Sequence, residues 1–345
     1  MTNQHEITKR MPLLNREGNL TEPGWARGLL WDYHRPDIRA SGMRIKEWDY
    51  YFVSNGHIGL ALTIADNGYM GLDSVSYLDF DEKWEITKSP MRLLPMGKTA
   101  LPETSAAGSS EIARGGYALA FYHDDDGTRK LTFHMDKFRG KDAIEGMISL
   151  SDEPAESMVI ATPFEKSGHF YYNQKINCMR AAGWIELGGA RVELEPETWF
   201  AVLDWGRGVW TYHNTWYWGS ASGELDGVPF GWNIGYGFGD TSAASENVLF
   251  YGGKIHKLSQ VRFEIPMQDG EENYLAPWRF SSDDGRFEMA FTPILNRAAY
   301  TSVGVIKSDQ NQVFGRFTGT AALDDGTVLQ VNDFFGFAEK VENKW

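Results

Sequence analysis

The chain has 345 residues, 42% of them hydrophobic, enough for one large or two ordinary domains with real cores and too apolar for disorder. Its formal charge of -14 excludes a nucleic-acid footprint, which needs a basic face to neutralise phosphates. One cysteine, Cys178, excludes an internal disulfide framework and any multi-thiolate metal site, and reads as a free buried thiol.

Residues 1–45 read as a polar leader, MTNQHEITKRMPLLNREG, followed by an aromatic segment, GWARGLLWDYHRPD, expected to cover a barrel. The leader lacks an apolar stretch of signal-peptide length, and no run of about 18 apolar residues follows, so the expectation is no integral membrane segment and a cytoplasmic location. Next comes NGHIGLALTIADNGY, where His57 shares a strand face with Gly59, Ala61 and Thr63. It can face a ligand cavity there or play a structural part.

Beyond it, alternating runs are separated by turn signals. Asp126-Gly127, Asp284-Gly285 and Asp325-Gly326, with Gly188-Gly189 and Gly252-Gly253, mark five hairpins, and these dipeptides accept the positive φ of a type I′ turn. Thirteen Trp, 15 Tyr and 20 Phe favour pleated, half-buried surfaces. Helical signals are confined to Trp25–Ile38 and GDTSAASENVLF, so the chain is expected to be all-β. Hairpins on both sides of KINCMRAAG predict two units, residues 46–177 and 178–345, built as barrels or sandwiches.

The densest chemistry is LDWGRGVWTYHNTWYWGSASG, residues 203–223. Asp204 and Arg207 can pair across a turn, whether to lock a loop or to serve a site, and Trp205, Trp210, Trp216 and Trp218 surround His213. A histidine or carboxylate in such an apolar mouth has the perturbed pKa that acid–base chemistry uses; a hydrogen-bonded core role is the alternative for His213. Downstream, FGWNIGYGFGD has the spacing of a strand rather than of a phosphate loop: Trp232, Ile234, Tyr236, Phe238 and Asp240 on one face, Asn233 among glycines on the other. Glu246 and Asn247 read as a cap, turn or binding pair, and Glu339 as an ion-pair partner for Arg316. Neither metal-ligand spacing nor a G-x-S-x-G elbow occurs, so no metal and no cofactor are expected.

The order LDWGRGVWTYHNTWYWGSASG, GWNIGYGFGD, ENVLFYGGKIHKLSQVRFEIP, QNQVFGRFTGTAALDDG and GFAEKVENKW resembles the bacterial family designated domain of unknown function 2804, from about Trp48 to Trp345. That family is similar to the AttH and carotenoid 1,2-hydratase group. The resemblance implies two tandem lipocalin-like antiparallel barrels packed together, and greasy substrates handled without a cofactor. It also implies a His–Trp pair and a Tyr–Asp pair in the second barrel. His213 with Trp216 and Tyr236 with Asp240 are the nearest matches, both at longer spacing than the group's His-x-Trp and Tyr-x-Asp.

Two functions follow as expectations. In the first, a lyase or isomerase holds a lipophilic or aromatic small molecule among Trp216, Trp218, Trp232 and Tyr236, with Trp205, Arg207, Asn233, Glu246 and His57 also binding. Asp204, His213 or Asp240 then moves a proton, beside the Tyr236 phenol. In the second, the same pocket carries a lipid or pigment without chemistry. A structural protein whose two barrels are filled by their own side chains is a third, weaker expectation, and a homodimer is compatible with the sequence.

Overall fold

The computed structural model describes residues 4–124, 126–303 and 306–344. Met1–Asn3, Asp125, Gly304, Val305 and Trp345, the last residue of GFAEKVENKW, lie outside the described residues. The described chain is strand, turn and irregular backbone, apart from two single 3-10 turns, Arg35–Asp37 and Gly42–Arg44. The first turn is all the helix that Trp25–Ile38 forms, and GDTSAASENVLF runs irregularly into the strand Val248–Tyr251.

All five expected hairpins are present, closed by two kinds of turn. Gly188-Gly189 and Gly252-Gly253 hold positive φ at both residues, as a two-residue type I′ turn requires. The three Asp-Gly turns sit in longer loops where only the glycine has positive φ. There the aspartate instead accepts a backbone N–H two residues on: Thr128 for Asp126, Arg286 for Asp284 and Thr327 for Asp325.

The strands form two large antiparallel sheets. The first follows the order Trp84–Lys88, Met70–Asp79, Ile58–Asp66, Ile45–Ser54, Phe200–Val209, Phe170–Leu187, Asp142–Ser151, Arg129–Arg139, Tyr117–His123 and Gly108–Arg114. It curls until Trp84–Lys88 lies beside Arg129–Arg139 and Gly108–Arg114 beside Ile58–Asp66. The second runs from Lys254–Lys257 through Val248–Tyr251, Val228–Tyr236, His213–Leu225, Val328–Lys344, Ile306–Ala322, Phe287–Val303 and Trp278–Ser282 to Val261–Glu264. Its last strand returns beside Val228–Tyr236. The fold is all-β, two tandem lipocalin-like barrels packed together. Leu13 and Leu14 of the leader and Trp31 and Tyr33 of the aromatic segment are buried in the first barrel's core.

The expected division at 177/178 falls inside the strand Phe170–Leu187, and the sheets change instead at residues 210–212. Phe200–Val209 pairs with Ile45–Ser54 on one side and Phe170–Leu187 on the other, so it completes the first barrel. Hairpin signals register local pairing; they carry no information about which distant strand closes a sheet.

Three strands of the first barrel, Ile45–Ser54, Phe170–Leu187 and Phe200–Val209, form the wall shared with the second, and Phe200–Val209 is buried at every position. Alternate residues of a strand point to opposite faces, so one set fills the lumen and the other meets the neighbouring barrel. Tyr50, Phe52, Phe80 and Val202 pack there against Trp218, Phe314 and Phe337.

Candidate active site

Alternation along Phe200–Val209 separates two residues that are close in sequence. Ala201, Leu203, Trp205 and Val209 belong to the first barrel's core, and Arg207 shares their face. Its guanidinium lies 4.2 Å from the Trp205 ring centre and donates to the Trp48 and Pro102 carbonyls and to Asp49. Asp204 points the other way, toward the second barrel. The expected Asp204–Arg207 pair is therefore not formed, because an odd sequence separation puts the two on opposite faces.

Asp204 pairs with Lys175, whose Nζ lies 2.8 Å from Oδ2, while Asn173 donates 2.6 Å to Oδ1. The same ammonium stands 3.9 Å from the ring centre of Trp218, across the interface. Register places Lys175, Asp204 and Tyr50 side by side on three adjacent strands. The second barrel answers with a row of its own, Arg297, Gln312, Glu339 and Trp218 on four adjacent strands. Trp216 donates 2.9 Å to Glu339 Oε1 and Gln312 donates 3.1 Å to Oε2. Trp218 donates 2.7 Å to Asn233 Oδ1, and Asn233 in turn donates to the Glu246 backbone carbonyl at 2.9 Å and to its Oε2 at 3.3 Å.

Three carboxylates, Asp204, Glu246 and Glu339, thus share the interface with Lys175, and all four residues are buried. Burial pushes the Glu339 carboxyl up to about 7, against the pull of the Trp216 hydrogen bond, Arg297 and Lys175. Burial likewise raises Glu246; Lys175 opposes the shift and Asp204 adds to it. Two phenols face this charge. Burial lifts Tyr50 to about 12 and Tyr171 well above its ordinary value, so both stay neutral and able to donate. The buried Tyr50 hydroxyl faces the Gln312 side chain, which opposes the rise, but makes no well-formed hydrogen bond among the described residues. Among those residues no three His, Cys, Asp or Glu side chains gather as metal ligands.

Beside the cluster, a groove of about 290 Å³ opens along the same interface. Its floor includes Phe52, Val202, Ser220 and Phe337; Arg316 and Asp333 stand at its rim. Each floor residue is two positions along a strand from a cluster residue: Phe52 from Tyr50, Val202 from Asp204, Ser220 from Trp218, Phe337 from Glu339. Two residues on one face of a strand are about 7 Å apart, so the floor of the groove separates it from the cluster's carboxyl groups, none of which lines it, by a single layer of side chains.

The remaining sequence candidates are placed as follows. Trp216, Trp218, Asn233 and Glu246 join the cluster. Trp205 stays in the first barrel's core, and Trp232 is packed edge-on against Phe230, Phe287 and Phe317 inside the second. That lumen is filled by aromatic side chains at this level, and the glycine face of FGWNIGYGFGD is the one that meets the first barrel. A Cβ on Gly231 would stand 2.9 Å from Cys178 Sγ, and one on Gly235 2.8 Å from Glu246 Oε1. His213, expected among the tryptophans, begins its strand half exposed, 3.5 Å from Glu342. His57 is likewise exposed, against Asp81, because it lies in the turn before Ile58–Asp66 and not on that strand. Tyr236 and Asp240 do not share a face: the strand ends at Tyr236, Gly237 has φ 91°, Tyr236 stacks on Tyr217 and Asp240 is exposed. Arg316 is turned to Asp333 and the Gly56 carbonyl, so Glu339 has other partners than expected.

Lys175, Tyr50 and Gln312 did not stand out in the sequence. The signal for Lys175 lay in YYNQKINC, where Asn173, Lys175 and Asn177 recur at the strand period within a run buried on both faces.

The profile of the family described as Domain of unknown function (DUF2804) matches residues 4–345. Among solved structures, the chain is similar to an AttH candidate from Nitrosomonas europaea, with TM-score 0.52 and 14% identity over 89% of this chain and 95% of that one. It is also similar to kievitone hydratase from Nectria haematococca, with TM-score 0.50 and 8% identity over 97% and 98% of the two chains. At such identities the likeness speaks to the fold. No curated protein matches the sequence.

Proposed function

The chain belongs to the DUF2804 family, and for it we propose a cofactor-independent lyase or isomerase, of the hydratase or cyclase type, acting by proton transfer on a lipophilic or aromatic small molecule. The observation that carries this reading is the burial of Asp204, Glu246 and Glu339 around Lys175 between the barrels. Packed hydrophobic residues would stabilise the interface better, and a cluster kept at that cost, next to a groove, is where acid–base chemistry is expected. That one structural relative is named a hydratase agrees with it.

The substrate's apolar body would lie on Phe52, Val202 and Phe337. Glu339, with its carboxyl at about 7, holds a proton over much of the neutral range and is the general acid. For hydration, Glu339 gives its proton to one carbon of a double bond while water adds to the other. Asp204 takes the proton that water loses, and the proton returns to Glu339 through solvent; elimination is the reverse. Lys175 holds Asp204 in place, and Tyr50 donates to an oxygen of the substrate. His213 and Asp240, being exposed and outside the cluster, have no part in this scheme.

The groove itself favours a second reading. Its aromatic floor and polar rim suit a carrier that grips a ligand without altering it. Incubation in D2O with a panel of unsaturated and hydroxylated aromatic compounds separates the two. An enzyme incorporates deuterium or water into one of them, and Glu339→Gln lowers that rate by about two to four orders of magnitude. Ligands that bind and are recovered unchanged, with the variant binding equally, would leave the carrier.

A further inference from the structure

Five of the eleven large hydrophobic side chains exposed among the described residues come from two short segments of the first barrel: Met43, and Met91, Leu93, Leu94 and Met96. The segments adjoin one another. A Cβ on Gly42 would stand 3.1 Å from the Met96 methyl, and Gly68 packs on the Met43 backbone. Leu94 and Met96 donate their N–H groups to the Tyr69 and Gly68 carbonyls at 2.9 and 3.0 Å. In the strand Met91–Leu93 the central Arg92 turns inward to Asp73 at 2.7 Å, which sends Met91 and Leu93 outward, 67% and 87% exposed.

This end of the barrel is held firmly in that exposed form. Asp66 Oδ2 accepts from the Gly97 N–H and the Thr99 hydroxyl, each at 2.8 Å, and Arg92 donates to Thr99. Leu94 and Met96 adopt φ of 50° and 52°, the left-handed region that side-chain-bearing residues avoid. Strain of this kind persists only where the surroundings impose it, and both strained side chains are exposed.

Charge identifies the occupant. Residues 39–44 and 88–98 contain Arg39, Arg44, Lys88, Arg92 and Lys98 and no aspartate or glutamate, in a chain whose net charge is -14. Arg39, Lys88 and Lys98 are exposed. Of the nearby acids, Asp66 and Asp73 are buried and already engaged. Glu103 is half exposed but paired with His34 and the Arg35 N–H, and Asp37 and Glu85 flank the two segments, partly exposed.

We propose that this basic, apolar end of the first barrel docks on an anionic lipid surface. The leucine and methionine side chains would enter the boundary between headgroups and acyl chains, and the exposed cations would meet the lipid phosphates. The acidic remainder of the molecule, repelled by the same lipid, would fix which end faces the membrane. The inference is independent of the chemistry proposed above.

Flotation of the full chain with vesicles tests it. Binding is expected to vesicles of phosphatidylcholine mixed with phosphatidylglycerol, weakly or not at all to phosphatidylcholine alone, and to decline as salt is raised. Leu93→Asp with Leu94→Asp should lower the partition coefficient by about tenfold or more. The thermal midpoint should be unchanged, since both side chains are exposed and aspartate tolerates the backbone at position 94. Lys88→Glu with Lys98→Glu should remove the preference for anionic vesicles. Wild-type protein that ignores anionic vesicles, or an aspartate variant that binds as well as wild type, overturns the proposal. So does an aspartate variant that merely dissolves a dimer in sedimentation velocity while no form binds vesicles, since the patch then joins two copies of the chain.

Discussion

Glu339 is where stability and activity are expected to pull apart. Its carboxyl, near 7 in the folded chain, returns to the ordinary 4.5 on unfolding, so between those values the folded form binds more protons. Stability from this group is therefore complete below about 4.5 and is lost as pH rises through about 7, a difference of roughly 3 kcal/mol by linkage. Glu246, also raised, adds in the same direction. Glu339→Gln should flatten the pH dependence of chemical denaturation across that window and stabilise the protein at pH 8, while removing the fall in rate expected above pH 7. Lys175→Met leaves Asp204 as an uncompensated buried charge and should cost about 3–5 kcal/mol. Adding Asp204→Leu should recover much of the loss, a coupling that urea titration of the four proteins measures as a double-mutant cycle. His213→Ala, at an exposed position, should change stability by no more than about 0.5 kcal/mol and leave turnover intact.

At the scale of elements, each wall strand does two jobs because its residues alternate between lumen and interface. The polar residues that look anomalous in LDWGRGV and YYNQKINC are the price of having no solvent-facing side. Register does the rest: Lys175, Asp204 and Tyr50 come together only because three strands pair in one alignment, and a one-residue slip of any one strand would send its member of the three into the first lumen. Close approach is built in with glycine. A Cβ on Gly206 would fall within the Trp48 ring on the neighbouring strand. One on Gly235 would stand 2.6 Å from the Tyr217 carbonyl oxygen as well as 2.8 Å from Glu246 Oε1. Gly206→Ala should therefore cost several kcal/mol, as overpacking of an inflexible site does, on the order of 3. Gly235→Ala should cost less in thermal stability but displace Glu246, and is expected to lower activity more than its melting point suggests.

Across the whole molecule, the barrels share a wall rather than a linker. Phe52 lies 5.1 Å from Phe314 and 5.7 Å from Phe337, and Tyr50 lies 5.8 Å from Trp218, ring centre to ring centre. Unfolding is expected to be a single cooperative transition, with fluorescence and far-UV signals superimposing on one denaturant curve. Function, on the reading above, belongs to the junction, so the groove can be altered without touching the acid cluster. Asn332 is exposed on the groove wall. Asn332→Trp should weaken substrate binding about tenfold or more while turnover at saturation is kept, since one well-placed bulky group forfeits the contacts of a few methylenes.

Much of this was legible in the chain. Aromatic and glycine content, strand-period alternation and five turn dipeptides determined an all-β meander, because those signals depend on residues within a few positions of one another. Trp216, Trp218, Asn233 and Glu246 were recognisable as a polar–aromatic concentration for the same reason. Tertiary structure alone decided which sheet owns Phe200–Val209, which lumen is filled, and that Lys175 and Glu339, far apart along the chain, meet in one electrostatic cluster. The two faces of FGWNIGYGFGD were assigned there too: Trp232, Ile234 and Tyr236 of its bulky face fill a barrel, Phe238 packs instead on Tyr171 and Trp210, and its bare face with Asn233 meets the site. Local sequence sets the period of a strand, whereas the face that becomes a site is set by what packs against it.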